Sequence, residues 1–187
     1  MNLATIQHQA VPASSMKAIT LWQPWASLVA AGEKHFETRA WYTAHRGLLA
    51  IHAGAALCLE HRALCAEEPF RSALRRAGIT DPRALPLGRV VVICKLVNCY
   101  KIRPGFNAAS ADAVAQERAF GDWTPGRYAW HLANPLQLVT PIPAQGHQGL
   151  WEWEPPAEFK AAVSDFAERL TVLFSDAVAG AERGSVP

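Results

Sequence analysis

The run from Gly88 to Tyr100 constrains the fold of this chain more than any other segment. It reads GRVVVICKLVNCY and is rich in valine and isoleucine, whose branched side chains favour extended backbone over helix. An apolar run of this kind beside turn-forming residues is typical of a β-strand. We therefore predict a strand over 88–100, and the fold must be built on a sheet.

The other strand signals are short and lie between glycine, proline and polar turns. The predicted strands are Lys17–Trp22, Lys34–Arg39, Leu48–Ala53, Tyr128–Leu132, Leu136–Thr140 and Gly149–Trp153. The Asn134-Pro135 dipeptide predicts a break between two of them. Lys34 is expected in the turn after Gly32, because the preceding helix ends there.

Helical spacing marks the regions between and after these strands. Pro24 and Gly32 bound a short first helix, since proline suits a helix start and glycine a helix end. Pro69 is expected to divide the second helical region in two. The predicted regions are Trp25–Ala31, Ala55–Gly78, Ala111–Ala119 and the amphipathic Glu158–Ala179. Regular strand–helix–strand alternation is absent, so we predict an α+β fold, a small mixed sheet or barrel with helices against it.

Length and charge limit the domain organisation. The 187 residues suit one domain with a substantial core. We expect a flexible tail over 1–16, the domain over 17–154, and a helical appendage over 155–187 that docks on this domain or on a protein partner. The formal net charge is only +2, so any nucleic-acid contact should be local, through a pocket or groove.

Several classes of protein are excluded by missing patterns. The apolar runs are too short for a membrane span and the N-terminus lacks a secretory signal pattern, so we expect a cytoplasmic protein that does not contact membranes. The four cysteines form no CxxC pair, and we expect no metal. No GxSxG, P-loop, GxGxxG or HExxH motif is present. This argues against serine hydrolases, nucleoside triphosphatases, dehydrogenases and zinc proteases, and we expect no cofactor.

Aromatic and charged residues concentrate near the first predicted helix. Trp22, Trp25 and Trp41 have flat rings that are able to stack on a base, although a tryptophan is as often a core residue. Lys34 and the pair Glu37 and Arg39 add charge to an otherwise apolar region. The residues His35, Glu37 and Arg39 share one face of an ideal strand. The alternative is an ordinary surface pair beside a solvated lysine.

A second polar cluster lies towards the end of the domain. The segment Gln145–Leu150 has two glycines and two amide side chains, which suits a tight loop where backbone approaches a ligand. His52, His131 and His147 are candidates for proton transfer or metal binding, the alternative being hydrogen-bonded structural histidines.

Two long segments resemble the ASCH family, the activating-signal-cointegrator homology domains. The segment LWQPWASLVAAGEKHFETRAWYTAHRGLLAIHAG is similar to the family's opening, and GRYAWHLANPLQLVTPIPAQGHQGLWEW to its closing strands. The resemblance runs from about Lys17 to Trp153. Its most specific part is GxKxxExR over 32–39, with QPWA over 23–26 before it.

The resemblance implies a PUA-like β-barrel and a cleft between the barrel and the short helix, suited to RNA, DNA or a nucleoside. In this chain Lys34, Glu37 and Arg39 would line that cleft. Its lip would be formed by Trp22, Gln23 and Trp25. Further candidates for contacts with the ligand are Trp41, His52 and His131.

Family members differ in function, so three activities stay open. Recognition of single-stranded RNA or a modified base is the leading one, with Arg39 and Lys34 on phosphate or a base edge and Glu37 on an exocyclic amine. One bacterial branch hydrolyses N4-acetylcytidine with a lysine at the position of Lys34, a threonine where this chain has Glu37, and a later glutamate, which aligns near Lys95. If the protein is such an enzyme, Lys34 and Glu37 would be catalytic. The third is metal-independent RNA cleavage by His52 or His131.

Overall fold

A computed structural model describes residues 15–106, 111–166 and 168–169 of the chain. Residues Lys17–Trp153 form one compact unit, which agrees closely with the extent of the resemblance. Outside it, residues 157–166 are helical, as predicted for the start of Glu158–Ala179. The rest of that helix from residue 170 and the tail before residue 15 lie outside the described residues, and the docking of the appendage stays a prediction.

The described residues form a sheet of six strands in the order β2-β5-β4-β3-β1-β6. The strands are β1 Met16–Leu21, β2 Phe36–Arg39, β3 Gly47–Ala53, β4 Arg89–Lys101, β5 Tyr128–Pro143 and β6 Leu150–Trp153. Strands β1 and β3 are parallel, while β3–β4, β4–β5 and β2–β5 are antiparallel. The sheet is therefore mixed, and the predicted α+β class is confirmed.

A single contact shows that this sheet is strongly rolled. Arg39 on β2 donates a hydrogen bond from Nη2 to the carbonyl of Thr20 on β1, at 3.0 Å. Three strands separate β2 from β1 in the sheet order. In a flat sheet the two strands would lie about 19 Å apart, well beyond the reach of an arginine. The sheet must curl until its β2 edge approaches β1, which is the geometry of a barrel.

The long strand β4 is one of the two middle strands of the sheet, and its buried residues contribute to the core. Residues Val90–Cys94 are buried without alternation, as expected for a strand covered on both faces. Among them Val91, Val92 and Cys94 pack with apolar residues of β1, β3, β5 and the first helix; the principal members are Ile19, Leu21, Val29, Leu49, Ile51, Trp130 and Leu132. The strand signal that opened the sequence analysis thus marks the element around which the others are arranged.

Among the described residues of the compact unit, four α-helices pack outside the sheet. They are α1 Trp25–Ala30, α2 Leu59–Leu64, α3 Phe70–Arg76 and α4 Ala111–Ala119, with a 3₁₀ turn over Pro82–Ala84. Pro69 precedes α3, so the predicted division of the second helical region is confirmed. Leu28 of α1 packs with Phe70 and Leu74 of α3 and with Phe120 beyond α4. This second core brings the end of α4 beside α1.

The predicted break at Asn134-Pro135 is wrong. Strand β5 continues through both residues, and the register with β4 shifts between the pairs Ile93–Leu136 and Lys95–Ala133. Two residues of β5 therefore stand opposite Cys94 alone, which is the pattern of a β-bulge. Asn134 has a positive φ of 52°. A bulge accommodates proline because its position needs no ladder hydrogen bond.

Candidate functional site

A first cleft opens beside α1, between the end of β1, strand β2 and the turn that follows α4. Its volume is about 380 Å³, within the range of small-ligand pockets. The lining residues are Leu21, Trp22, Trp25, Glu37, Thr38, Arg39, His61, Ala119, Phe120, Gly121 and Asp122. Four residues predicted from the sequence thus line one cleft: Trp22, Trp25, Glu37 and Arg39.

The carboxylate of Glu37 is held between two cations. Strand alternation buries Phe36 and Thr38 and leaves Glu37 and Arg39 on the opposite face of β2. Glu37 Oε1 lies 3.0 Å from Arg39 Nε, and Glu37 Oε2 lies 3.5 Å from the ammonium nitrogen of Lys34. The carboxylate is thereby fixed at the surface of the cleft, where its remaining lone pairs can accept hydrogen bonds.

Lys34 lies beneath the cleft. It occupies the turn after Gly32, as predicted, but its side chain is completely buried. Its ammonium group donates hydrogen bonds to the carbonyls of Phe36 and, at 2.9 Å, Phe120. The Glu37 carboxylate adds an ion pair at 3.5 Å, so three protein groups surround the ammonium. This arrangement ties β2 to the turn after α4, and the predicted ligand contact of Lys34 stays a prediction.

Trp22 and Trp25 form the aromatic side of the first cleft. Trp22 is 56% exposed, which is unusual for so large an apolar ring. Trp25 is half-buried, with the ring of His61 against it in an edge-to-face contact at 4.8 Å. Sequence reasoning missed His61, which lies on α2 with no local motif around it. The exposed indole face of Trp22 is available for stacking.

Gln23, which was predicted at the lip, is fully buried instead. Its amide accepts a hydrogen bond from the backbone N–H of Ser27 and donates to the Ser27 hydroxyl and the Pro86 carbonyl. Pro24 makes no side-chain cap for α1. Gln23 therefore provides the side-chain cap at the start of α1 and holds the segment that contains Trp22 and Trp25, rather than lining the cleft.

A second cleft of about 690 Å³ lies on the other side of Trp22 and Arg39, which line both. It is bounded by β1, the end of β3 and the loop that joins β5 to β6. Its remaining lining residues are Ile19, Thr20, His52, Gly54, Ala55 and Ala144–Gly149. The loop predicted to approach a ligand thus forms one wall of this cleft.

His52 lies at the base of the second cleft and is only 2% exposed. Its Nε2 is 3.0 Å from the carbonyl of Ala144, so this nitrogen carries the proton of the neutral ring. Its Nδ1 is buried and has no partner among the described residues. Burial lowers the pKa of His52, and the nearby His147 adds to that effect.

The other predicted residues lie elsewhere. Trp41 packs edge-to-face on Trp130 at 4.6 Å, and His131 stacks on Phe36 at 4.8 Å. Burial lowers the pKa of His131. Lys95 pairs in register with Leu48 and Ala133. Trp41, His131 and Lys95 line neither cleft, and their predicted roles stay predictions.

The wall formed by the end of α4 was not predicted from the sequence. The buried carboxylate of Glu117 accepts hydrogen bonds from the backbone N–H groups of His35 and Phe36 and from the His35 ring. This last bond raises the pKa of His35. Asp122 is fixed in turn because its N–H donates to the Thr38 hydroxyl at 3.0 Å. These contacts join segments more than 80 residues apart, so no local sequence pattern predicts them.

A metal-binding cluster and a membrane-spanning helix are both absent from the described part of the chain. No group of three histidine, cysteine, aspartate or glutamate side chains there is arranged to hold a metal ion. None of the helices described has the length and apolar character needed to cross a bilayer.

Known proteins resemble this chain over the same region. Residues 19–142 match the family model of the ASCH domain. Activating signal cointegrator 1 of Homo sapiens and that of Mus musculus are each 28% identical over 134 residues, or 72% of this chain, which spans only 22% of their length. A crystal structure of ASCH from Zymomonas mobilis is 18% identical with a TM-score of 0.43, covering 79% of this chain and 93% of that one. The chain belongs to the ASCH domain family.

Proposed function

We propose that this protein binds single-stranded RNA or a modified base in the first cleft. The observation that carries the proposal is the Glu37 carboxylate, held by Lys34 and Arg39 in the same cleft as the exposed ring of Trp22. RNA binding is the role generally attributed to the ASCH family. A flat apolar surface beside a fixed acceptor is what an unstacked base needs.

The chemistry of each group supports this assignment. The ring of Trp22 stacks on the base, a contact that contributes about 1–3 kcal/mol. Glu37 accepts a hydrogen bond from an exocyclic amine, as acidic side chains do with cytosine. The guanidinium of Arg39 attracts the phosphate attached to that nucleotide. Cytosine, adenine and guanine carry such an amine and uracil does not, so we expect a preference against uracil.

The hydrolytic alternatives receive less support from the same contacts. A lysine nucleophile needs a free lone pair, whereas the Lys34 ammonium donates to two carbonyls beside Glu37. For RNA cleavage, His52 borders the second cleft and His131 neither cleft. Amide hydrolysis by Lys34 and Glu37 and cleavage by a histidine therefore stay predictions for experiment.

Binding of short RNAs to three variants tests the proposal. Trp22→Ala should weaken binding to every sequence by roughly 5- to 150-fold, the range that one stacking contact supplies. Glu37→Gln should change which base is preferred, because the amide both donates and accepts. Val139→Ala on the fully exposed face of β5 is the control. If the Trp22 and Glu37 variants bind like the parent, the RNA site lies elsewhere.

The same RNAs report on catalysis. One of them carries a single N4-acetylcytidine, and its intact mass is followed over time in EDTA. Loss of the acetyl group would establish an amidohydrolase, and backbone fragments a ribonuclease. The Glu37→Gln protein, purified in parallel, distinguishes amide hydrolysis from a contaminant, and the His52→Ala and His131→Ala proteins do the same for RNA cleavage.

A further inference from the structure

The two clefts share one wall, and that wall is built from Trp22 and Arg39. A single nucleoside in the first cleft would leave the larger second cleft empty. The indole of Trp22 is exposed to both spaces, and the Arg39 guanidinium borders both. This arrangement is suited to a ligand that passes from one cleft into the other.

The charges of the two clefts differ. The first cleft contains the carboxylates of Glu37 and Asp122 beside Arg39. No acidic side chain is found among the residues that line the second cleft, where Arg39 is accompanied by hydroxyl, amide and peptide groups. A phosphate is repelled by carboxylates and attracted by a guanidinium. The anionic part of a ligand is therefore favoured at Arg39 and in the second cleft.

The shared wall is held firmly in place. The Arg39 guanidinium donates one hydrogen bond, from Nη2 to the Thr20 carbonyl at 3.0 Å, and its Nε forms an ion pair with Glu37 Oε1 at 3.0 Å. Trp22 lies directly against Gly54, where an added Cβ would come within 3.2 Å of the indole. Because these contacts hold both side chains of the shared wall, the distance between the two clefts is kept constant.

Hydrogen bonds also hold the loop that forms one wall of the second cleft. The Thr20 hydroxyl donates to the His147 carbonyl at 3.1 Å, and His52 Nε2 contacts the Ala144 carbonyl, so the loop is held at its start and near its middle. Between these points Gly146 lies so close that a Cβ would be 2.6 Å from His52 Nδ1. That nitrogen is a buried acceptor with no donor among the described residues. The loop can pack this closely over the His52 ring only because residue 146 is a glycine.

We propose that the second cleft is a subsite for the adjacent nucleotide, so that the ligand is a single strand of at least two nucleotides rather than a free nucleoside. The first base lies in the first cleft against Trp22 and Glu37. The linking phosphate lies on Arg39, and the next nucleotide enters the space bounded by Thr20, His52 and the Ala144–Gly149 loop. This inference rests on the proposed function, because it uses the first cleft as the site of the first base.

The test compares a dinucleotide with the two mononucleotides that it contains. Dissociation constants are measured by calorimetry for CpC, cytidine 3′-monophosphate and cytidine 5′-monophosphate, and for the deoxyribose form of CpC. We expect CpC to bind about tenfold more tightly than either mononucleotide, which corresponds to about 1.4 kcal/mol for the second nucleotide. The deoxyribose form reports whether the ribose hydroxyl contributes to that gain.

A variant that fills the second cleft separates the two sites. Ala55 lines only the second cleft and is exposed, so Ala55→Phe adds a ring there without disturbing the core. In this variant the ratio between the mononucleotide and CpC dissociation constants should fall from about ten to about one. Val139→Phe adds the same ring at a fully exposed position and should keep the tenfold ratio. Urea unfolding of both variants checks that they are folded.

The outcomes distinguish this inference from the proposed function. If CpC and the mononucleotides bind equally well, or if Ala55→Phe keeps the tenfold ratio, the second subsite is refuted while nucleotide binding in the first cleft stands. If neither CpC nor the mononucleotides bind, the proposed function fails and the second subsite fails with it.

Discussion

At the scale of single residues, Lys34 shows how far sequence reasoning reaches. Gly32 predicted the turn that contains Lys34, and the strand period predicted that Glu37 and Arg39 share a face. The burial of Lys34 could not be predicted, because one of its acceptors is the carbonyl of Phe120, 86 residues away. An isolated lysine in a turn is ordinarily solvated. Only the folded chain shows that this one joins two walls of the cleft.

Removing the Lys34 ammonium should destabilise the fold. In Lys34→Met the carbonyls of Phe36 and Phe120 lose their donor and Glu37 loses one of its two cations. Breaking a buried ion pair from one side costs about 3–5 kcal/mol, and we expect the lower end, because Arg39 still contacts Glu37. Urea unfolding measures the change.

Glu37→Gln is the matched control for this variant. Glu37→Gln keeps both carbonyl contacts of Lys34. The carboxylate that it replaces is partly exposed, so this variant should lower the free energy of unfolding less than Lys34→Met does. A Lys34→Met protein as stable as the parent but unable to bind RNA would contradict the structural role and place the ammonium on the ligand.

The contact between His35 and Glu117 makes part of the stability depend on pH. Glu117 raises the pKa of His35 above its ordinary value of 6.5 in the folded protein. The stabilisation is therefore complete below about pH 6.5 and is lost as the pH rises through the folded-state pKa. His35→Gln should lower the free energy of unfolding more at about pH 5.5 than at about pH 8.5.

The comparison uses the parent protein at the same two pH values. His52 and His131, whose pKa values are lowered by burial, give the opposite trend and are present in both proteins. Taking the difference between parent and variant removes the contribution of His52, and only part of that of His131, because His35 itself helps to lower the pKa of His131. If parent and variant differ in free energy of unfolding by the same amount at the two pH values, the contact with Glu117 does not raise the pKa of His35.

At the scale of elements, α1 depends on a residue that precedes it. Gln23 makes three hydrogen bonds at the helix start and has no exposed surface. Gln23→Ala should lower the free energy of unfolding by about 2–3 kcal/mol, because the Pro86 carbonyl and the Ser27 N–H lose partners in a buried place. For a chain of this size that is a fall in melting temperature of roughly 5–10 °C, measured by calorimetry.

Ser27→Ala provides the control for the Gln23 variant. It removes only the hydroxyl and keeps the Gln23 contacts with the Ser27 N–H and Pro86, so its effect should be the smaller one. Gln23 was predicted from the sequence at the lip of the cleft. Loss of RNA binding in Gln23→Ala with an unchanged melting temperature would favour that direct role over the cap.

The elements themselves were more predictable than their junctions. Branched apolar runs predicted β3 and β4, and proline and glycine predicted the bounds of α1 and α3, since these signals are local. The predicted break at Asn134-Pro135 was wrong because the bulge that accommodates it depends on the partner strand β4. The Asn134-Pro135 dipeptide alone does not show which residues of β4 lie opposite it in the sheet.

At the scale of the whole molecule, the strand order could not be read from the sequence. β1 pairs with β3, while β2, which lies between them in the chain, pairs with β5 at the far edge of the sheet. Curling of the sheet then returns β2 to β1 through the contact of Arg39 with Thr20. Both clefts depend on that closure. Sequence reasoning therefore found several members of the first cleft, and His52 and the Gln145–Leu150 loop of the second, but not that the two clefts share a wall.

The whole charge distribution predicts that RNA binding depends only weakly on salt. The net charge is +2, and Arg39 is the one cation that lines the described clefts, apart from histidines. Neutralising one or two phosphates of a single strand gives a slope of log affinity against log salt of about −0.7 to −1.4. Anisotropy titrations of a short RNA in about 50 to 400 mM KCl measure this slope.

Two variants divide that salt dependence between charge and stacking. Arg39→Gln should reduce the magnitude of the slope by about 0.7, because one phosphate contact is lost. Trp22→Ala should weaken binding at every salt concentration and keep the parent slope, since stacking releases no counterions. A parent slope steeper than about −3 would mean that several phosphates are neutralised at once. The two clefts contain too few cations for that, so such a slope would show that the RNA follows a different surface of the protein.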